Sequence, residues 1–326
     1  YIFSRMRFFL ILLTALILVS CKGEEKKEYS IAVFISGEGR KEKVKGFMDG
    51  LKDLGMNNVK FHFYEGNNTL SRMRELAQEL AVSQEDYDLI VVGGSLEAYM
   101  IKSASGRLKT PVVILGGTSI KQWKLTKNLS RPSENITGID NLNAELMEKR
   151  VELFSKMFPD IKKVIVFCNP QFEASKNATR ITIKAGKKFG IKVVPLSVKD
   201  IKELEYIISH MREDGYDAII ITPCFYTENF LTTYILHYAN FYQVPVFCHS
   251  PGLVKKGCHV AYGTSGYEQG YQASHIAYKI LNGTPVEFVP FERAYYPRLA
   301  VNETALAELG IEYNRDFFSY VDEVVK

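Results

Sequence analysis

Gly93-Gly94-Ser95 and Gly116-Gly117-Thr118-Ser119 each follow directly on an apolar run, and the chemistry they offer is anion binding. Glycine lets a ligand come close to the backbone, and free amides at a helix start suit a carboxylate or phosphate. Ser95 could equally serve as a plain helix cap. Gly94, Ser95, Thr118 and Ser119 are the candidates in this half of the chain. Further on, Asn169-Pro170-Gln171-Phe172-Glu173, Pro223-Cys224-Phe225-Tyr226-Thr227 and His249-Ser250 occupy corresponding places. Rings at Phe172, Phe225 and Tyr226 would be unfavourable at exposed loop starts unless they line a pocket or cover a sheet edge. Glu173 could hold a ligand ammonium, or could be a carboxylate favoured by the helix dipole. Asn169 and His249 complete the set of binding candidates.

Catalytic patterns are incomplete. Ser36-Gly37-Glu38-Gly39 starts like a dinucleotide fingerprint, but the next glycine is Gly46. Gly93-Gly94-Ser95-Leu96-Glu97 starts like a nucleophile elbow, with Glu97 where the second glycine belongs. There is no H-E-x-x-H and no P-loop, so we expect no enzyme and no cofactor; a serine hydrolase acting through Ser95 is the distant alternative. Cys168, Cys224, Cys248 and Cys258 admit three readings: apolar filling, a disulfide between two of them, or a soft-metal site helped by His249 or His259. Cys248-His249 and Cys258-His259 lack metal-ligand spacing, and Cys258 should start a strand at the opposite edge from Cys248, so no metal is expected.

The elements that must position these residues occur twice, at an offset of about 130 residues. Ile31-Ala32-Val33-Phe34 is echoed by Val164-Ile165-Val166-Phe167, Tyr87-Asp88-Leu89-Ile90-Val91-Val92 by Tyr216-Asp217-Ala218-Ile219-Ile220-Ile221, and Pro111-Val112-Val113 by Pro245-Val246-Phe247. Apolar, β-rich runs of this kind read as strands buried on both faces of a parallel sheet. In the first half, strands are expected at 31–35, 59–64, 89–92 and 112–115, with helices at 44–54, 70–82 and 96–105. In the second, helices at 144–157, 174–189, 201–213 and 229–241 alternate with strands at 164–167, 192–196, 218–221, 244–248 and 259–262. Alternation of this kind forces right-handed crossovers, giving an α/β protein of two doubly wound parallel-sheet lobes. The tail breaks the rhythm: a helix at 270–282, extended stretches at 286–291 and 298–301, and a short helix at 304–309. Segments that follow a complete second lobe are what the chain needs to cross between lobes and make a multi-strand hinge. Lobe 1 is then 30–141 plus 264–292, and lobe 2 is 142–263 plus 293–326.

Arg5 and Arg7 precede an apolar stretch from Phe8 to Val19, too short to span a bilayer, so residues 1–20 read as a signal peptide. Leu18-Val19-Ser20-Cys21 resembles the lipobox of bacterial lipoproteins, which implies lipidation at Cys21, a membrane anchor and an extracytoplasmic location; residues 21–29 suit a flexible tether. Tyr1 in the first position suggests an upstream extension, with Met6 as another start. The formal net charge of +4 falls by two without Arg5 and Arg7. With no basic stripe bearing interleaved aromatics, nucleic-acid binding has no support.

The whole mature chain resembles the ABC-transporter substrate-binding lipoproteins of the periplasmic-binding-protein type 1 fold, in the branch with tryptophan- and tyrosine-binding members. Arg131-Pro132-Ser133-Glu134-Asn135-Ile136-Thr137-Gly138 is similar to that branch's "rPggNvTG", and Ala261-Tyr262-Gly263 and Tyr267-Glu268-Gln269-Gly270 follow in order. Lys279-Ile280-Leu281-Asn282-Gly283-Thr284-Pro285 is like "kiLkGakP", and Val301-Asn302-Glu303-Thr304-Ala305 with Leu309-Gly310 is like "vNlktAkeLG". Gly116-Gly117-Thr118-Ser119 departs from the family's "tDPv" turn, which leaves the contact made there open. The resemblance implies a monomeric receptor that closes on a small solute, an amino acid and an aromatic one among the candidates. It also implies an ABC permease and ATPase as partners; a sensing receptor of the same fold that feeds a membrane signalling protein is the alternative.

Overall fold

A computed structural model describes residues 27–326. The signal-peptide, Cys21 and most of the tether expectations lie outside the described residues.

Strand β1 (Tyr29–Ile35) opens a six-stranded sheet with β2 (Val59–Glu65), β3 (Leu89–Val92), β4 (Val112–Gly117), β5 (Ile136–Asp140) and β11 (Glu292–Arg293). Its order is β11-β5-β4-β3-β1-β2, and every pairing in it is parallel. The period-two alternation of strand side chains sorts its core onto two faces. Ala32, Phe34, Ile90, Val92, Val112 and Ile114 meet Met73, Leu76 and Leu80 of helix α2 (Leu70–Val82) and Ala98 and Ile101 of α3 (Ser95–Ser105). Ile31, Val33, Val91 and Val113 meet Phe47 and Leu51 of α1 (Lys41–Asp53).

Between β5 and β11 the chain builds five strands of a second sheet, and after β11 it adds two more. Strands β6 (Lys163–Phe167), β7 (Lys192–Leu196), β8 (Ala218–Ile220), β9 (Val246–Cys248), β10 (Val260–Gly263), β12 (Arg298–Asn302) and β13 (Glu323–Val325) run in the order β13-β12-β10-β9-β8-β6-β7. Only the β10–β12 pairing is antiparallel. Helices α4 (Met147–Met157), α5 (Glu173–Phe189), α6 (Ile201–His210) and α7 (Thr232–Phe241) flank it. Helix α8 (Gly266–Leu281) returns to the first sheet and packs along α1 so closely that a Cβ at Gly46 or Gly270 would run into the other helix's backbone. Helix α9 (Glu303–Glu308) follows β12.

The chain therefore passes between the sheets three times: after β5, after β10 and after β11. Arg150 of α4, fully buried, braces the first two passages. Its guanidinium donates to Asn143 O at 2.5 Å and Asn143 Oδ1 at 2.7 Å, and to Tyr262 O at 2.7 Å and His249 O at 3.2 Å. With no acid paired to it among the described residues, burial pulls its pKa down to about 9.

Several expected bounds shift by two to four residues, as in the helices expected at 144–157, 201–213 and 270–282 and the strand at 244–248, and three differences go further. Ile136–Asp140 is a strand although it was not expected as one; Gly138, at φ 148°, lies where a Cβ would strike the Ile114 backbone, so pairing with β4 depends on this glycine. The stretch expected extended at 286–291 contains a 3-10 turn at Val286–Phe288, with the strand only afterwards. The helix expected from Asn229 begins instead with a π turn at Thr227–Leu231.

Candidate functional site

The carboxyl ends of β1, β3, β4 and β5 in the first sheet and of β6 and β8 in the second lead into one cleft, the position in which open α/β sheets bind ligands. One cavity there is lined from the first lobe by Arg40 after β1, Gly94, Ser95 and Leu96 after β3, Thr118 and Trp123 after β4, and Asn141 and Asn143 after β5. From the second come Phe172 after β6, and Cys224, Phe225 and Glu228 after β8. Its volume is about 30 Å³, room for little more than a water, so admitting an organic solute requires the lobes to part. A second cavity of about 180 Å³ shares Arg40, Asn141, Asn143 and Glu228 and continues past Lys43, His249 and Gln269.

An ion-pair network separates the two. Arg40 Nη1 lies 2.9 Å from Glu228 Oε2 across the cleft, and Arg40 Nε lies 3.2 Å from Glu97 Oε1 within its own lobe. His249 Nε2 stands 3.2 Å from Glu228 Oε1, and Ser36 N donates to Glu97 Oε1 at 3.1 Å. Burial alone would raise the Glu228 pKa, but Arg40 and then His249 hold it far below the usual carboxylate range. Burial likewise opposes the Arg40 charge, and Glu228 and Glu97 override it, raising its pKa. Lys43 donates to Gly93 O at 3.2 Å and Gly116 O at 2.6 Å; burial, followed by repulsion from Arg40, pulls its pKa down to about 7.

The other end of the cavity is apolar. Phe172 and Phe225 cross from the second lobe to pack with Leu96, Ile120 and Trp123 of the first. Their ring centroids are 5.9 Å apart, and Tyr99 lies 5.1 Å from Trp123. Trp123 is 8% exposed, and its indole N–H has no acceptor among the described residues.

Gly94, Ser95, Thr118, Phe172 and Phe225 thus come together in one lining. The Ser95 hydroxyl donates to Thr118 O at 2.7 Å and accepts from Thr118 N at 2.9 Å, tying the two turns to each other. The glycines make room for protein: a Cβ at Gly93 would meet the Arg40 side chain, and one at Gly116 would meet Gln269. Ser119 spans the cleft instead of lining the cavity, its Oγ accepting from Asn177 Nδ2 of α5 at 3.0 Å. Tyr226 stacks on Phe172 at 6.3 Å and donates to Val198 O, outside the lining. His249 lines the second cavity as the partner of Glu228. Asn169 lies outside both linings and closes its own loop by accepting from Gln171 N at 3.0 Å. Glu173 is also outside, paired on the helix surface with Lys176. Arg40, Lys43, Glu97, Trp123, Asn141, Asn143, Asn177 and Glu228 were not among the sequence candidates. The available signals were Arg40 closing the glycine turn after β1 and Glu97 in the first turn after Gly93-Gly94-Ser95.

Cys248 and Cys258 form a disulfide with a Cα–Cα distance of 6.5 Å, while Cys168 and Cys224 are unpaired among the described residues. Cys258 does stand before the start of β10, at the edge opposite Cys248, yet β9 is only three residues long, which keeps the two within disulfide reach. Two of the sulfurs that a soft-metal site would use are thereby consumed. His259 Nδ1 accepts from Val246 N at 3.1 Å, and burial holds its pKa down to about 4.

A family model described as ABC transporter substrate binding protein matches residues 28–325. The chain is 22% identical over 299 residues to a tyrosine-binding protein of Clostridioides difficile strain R20291, covering 89% of this chain and 84% of that one. A solved structure from Streptococcus pneumonia, described as an ABC domain in complex with L-Trp, superposes with a TM-score of 0.83 at 19% identity, over 92% of this chain and 100% of that one. The ligand-free, open structure of a substrate-binding protein with adhesive properties from Clostridium difficile gives a TM-score of 0.67 at 22% identity, over 91% and 99%.

Proposed function

The chain belongs to the ABC transporter substrate-binding protein family, and on that premise we propose that it is the lipid-anchored, extracytoplasmic receptor of an importer, capturing an amino acid with an aromatic or other apolar side chain. The observation that carries the ligand class is the polarity gradient of the inter-lobe cavity. Arg40, Glu228, Asn141 and Asn143 gather at one end of its lining, and Leu96, Trp123, Phe172 and Phe225 at the other. A zwitterion with an apolar tail matches such a gradient. Its carboxylate would meet the first-turn amides of α3 and the Thr118 turn, its ammonium would face Glu228, and its side chain would lie among the rings. A relative named for tyrosine and a fold neighbour holding L-Trp support the same class.

Closure buries the ligand and presents a surface composed of both lobes, which a permease with its ATPase can distinguish from the open form. The receptor holds and releases its solute without chemistry of its own, and Cys21 would carry the anchor. Calorimetry on delipidated protein tests the ligand class. Tyrosine, phenylalanine, tryptophan and leucine are titrated beside a sugar control; binding of at least one amino acid and not the sugar is expected. Binding of the sugar alone, or of none, sinks the assignment.

A further inference from the structure

The apolar end of the cavity contains one polar group that the protein leaves unused. Leu96, Phe172 and Phe225 offer only carbon, and the Cys224 thiol is engaged with Thr227 Oγ1 at 3.2 Å. Trp123 differs. Its ring belongs to the same lining, it is 8% exposed, and its Nε1 has no hydrogen-bond acceptor among the described residues. A buried indole N–H ordinarily finds a partner, because leaving the donor dry forfeits the hydrogen bond that water gave it. Tyr99 and Ile120 hold the indole in place, so it cannot easily turn away to find one.

We propose that the Trp123 N–H reads the far end of the ligand side chain, and that the site selects a ring carrying a hydrogen-bond acceptor, a hydroxyphenyl group, over an unsubstituted ring. This rests on the amino-acid reading above and adds the residue that sets specificity within it. A phenol oxygen that reaches the indole accepts the waiting hydrogen bond, whereas a bare phenyl ring leaves the donor unsatisfied. Sites built to bond a substrate hydroxyl discriminate strongly against the analogue without it, for this reason. An indole side chain brings a second donor and no acceptor, so tryptophan would gain nothing from the contact.

The test measures the affinities of tyrosine, phenylalanine and 4-fluorophenylalanine by calorimetry on the native protein and on Trp123→Phe. Fluorophenylalanine approaches tyrosine in length but is a poor acceptor. Tyrosine should bind the native protein at least tenfold tighter than either analogue. In Trp123→Phe that advantage should fall below threefold, with phenylalanine affinity little changed. Equal affinities in the native protein, or an advantage that survives the substitution, overturn the proposal while leaving the amino-acid reading intact. Absence of binding by all three overturns the proposal, and it overturns the amino-acid reading too only where tryptophan and leucine also fail to bind. Trp123 is the single tryptophan of the chain, so its emission gives a measurement that needs no variant. Tyrosine should shift the emission maximum to longer wavelength relative to phenylalanine at saturation, and identical spectra with the two ligands count against the proposal.

Discussion

Arg40 and Glu228 form a 2.9 Å ion pair across the cleft, while Arg40 also serves Glu97, whose side chain is wholly inaccessible. Removing one member of a buried pair leaves the other charge uncompensated. Arg40→Gln abandons two carboxylates and should lower unfolding stability by about 3 kcal/mol. Glu228→Gln leaves the Arg40–Glu97 pair whole; it should cost less in urea denaturation and should enlarge the radius of gyration in solution scattering as the lobes separate. Equal losses in the two variants would show that Glu97 does not depend on Arg40.

Asn177 and Ser119 make a second polar contact between lobes, at 3.0 Å. Asn177→Ala removes a hydrogen bond worth about 1 kcal/mol, which should weaken ligand affinity roughly fivefold by shifting the lobes toward the open state. The thermal midpoint of the ligand-free protein should change little. A large fall in that midpoint would instead assign Asn177 to the stability of its own lobe.

Phe172 belongs to the chain of the second lobe and to the apolar cluster of the first. Phe172→Ala should therefore reduce affinity for an aromatic ligand by ten- to a hundredfold, about 1.4 to 2.8 kcal/mol, measured by calorimetry. Undiminished affinity would exclude the ring from the binding surface.

Burial and the neighbouring Arg40 pull Lys43 down to about 7 from an ordinary 10.5. Between those values the unfolded chain binds more protons than the folded one, so the contribution of this group to stability rises with pH through the window and is lowest, and flat, below it. Lys43→Met removes the titration. The stability difference between native protein and variant should then move in favour of the native protein from about pH 6.5 to about pH 9.5. A pH-independent difference would mean that the ammonium is solvated.

The Cys248–Cys258 disulfide closes a loop with a sequence separation of 10. In the chain-entropy account, a ring of that size contributes about 3 kcal/mol. A reductant, or Cys248→Ser with Cys258→Ser, should lower the thermal midpoint of the second lobe by several degrees. An unchanged midpoint would place the bond outside the cooperative unit.

Leu89–Val92 and Val246–Cys248 are apolar at every position and announce buried strands from sequence alone. Ile136–Asp140 is not legible this way, because Thr137 and Gly138 interrupt the pattern and what engages them is remote in sequence: the Thr137 hydroxyl donates to Val289 O, and Gly138 clears the Ile114 backbone of β4. The same division runs through the cleft. Phe172 and Phe225 stand out as rings at loop starts, where only a partner surface makes them favourable. Arg40 and Glu228 look like ordinary solvated charges, since their partnership spans 188 residues of sequence. Contacts made only when two lobes meet leave no local periodicity to read.

Helix α8 supplies Ala273, Ile276, Ala277 and Ile280 to the same cluster as Ile31, Val33 and Phe47. A chain emerging from its amino end, whether from a ribosome or through an export channel, thus cannot cover that face of its first sheet until nearly all of it has appeared. The earliest strands must wait as sticky, unfinished structure while β6 to β10 of the second sheet are made. The sheet begun first stays open on one face through most of synthesis, and both sheets are completed only by the last segments of the chain.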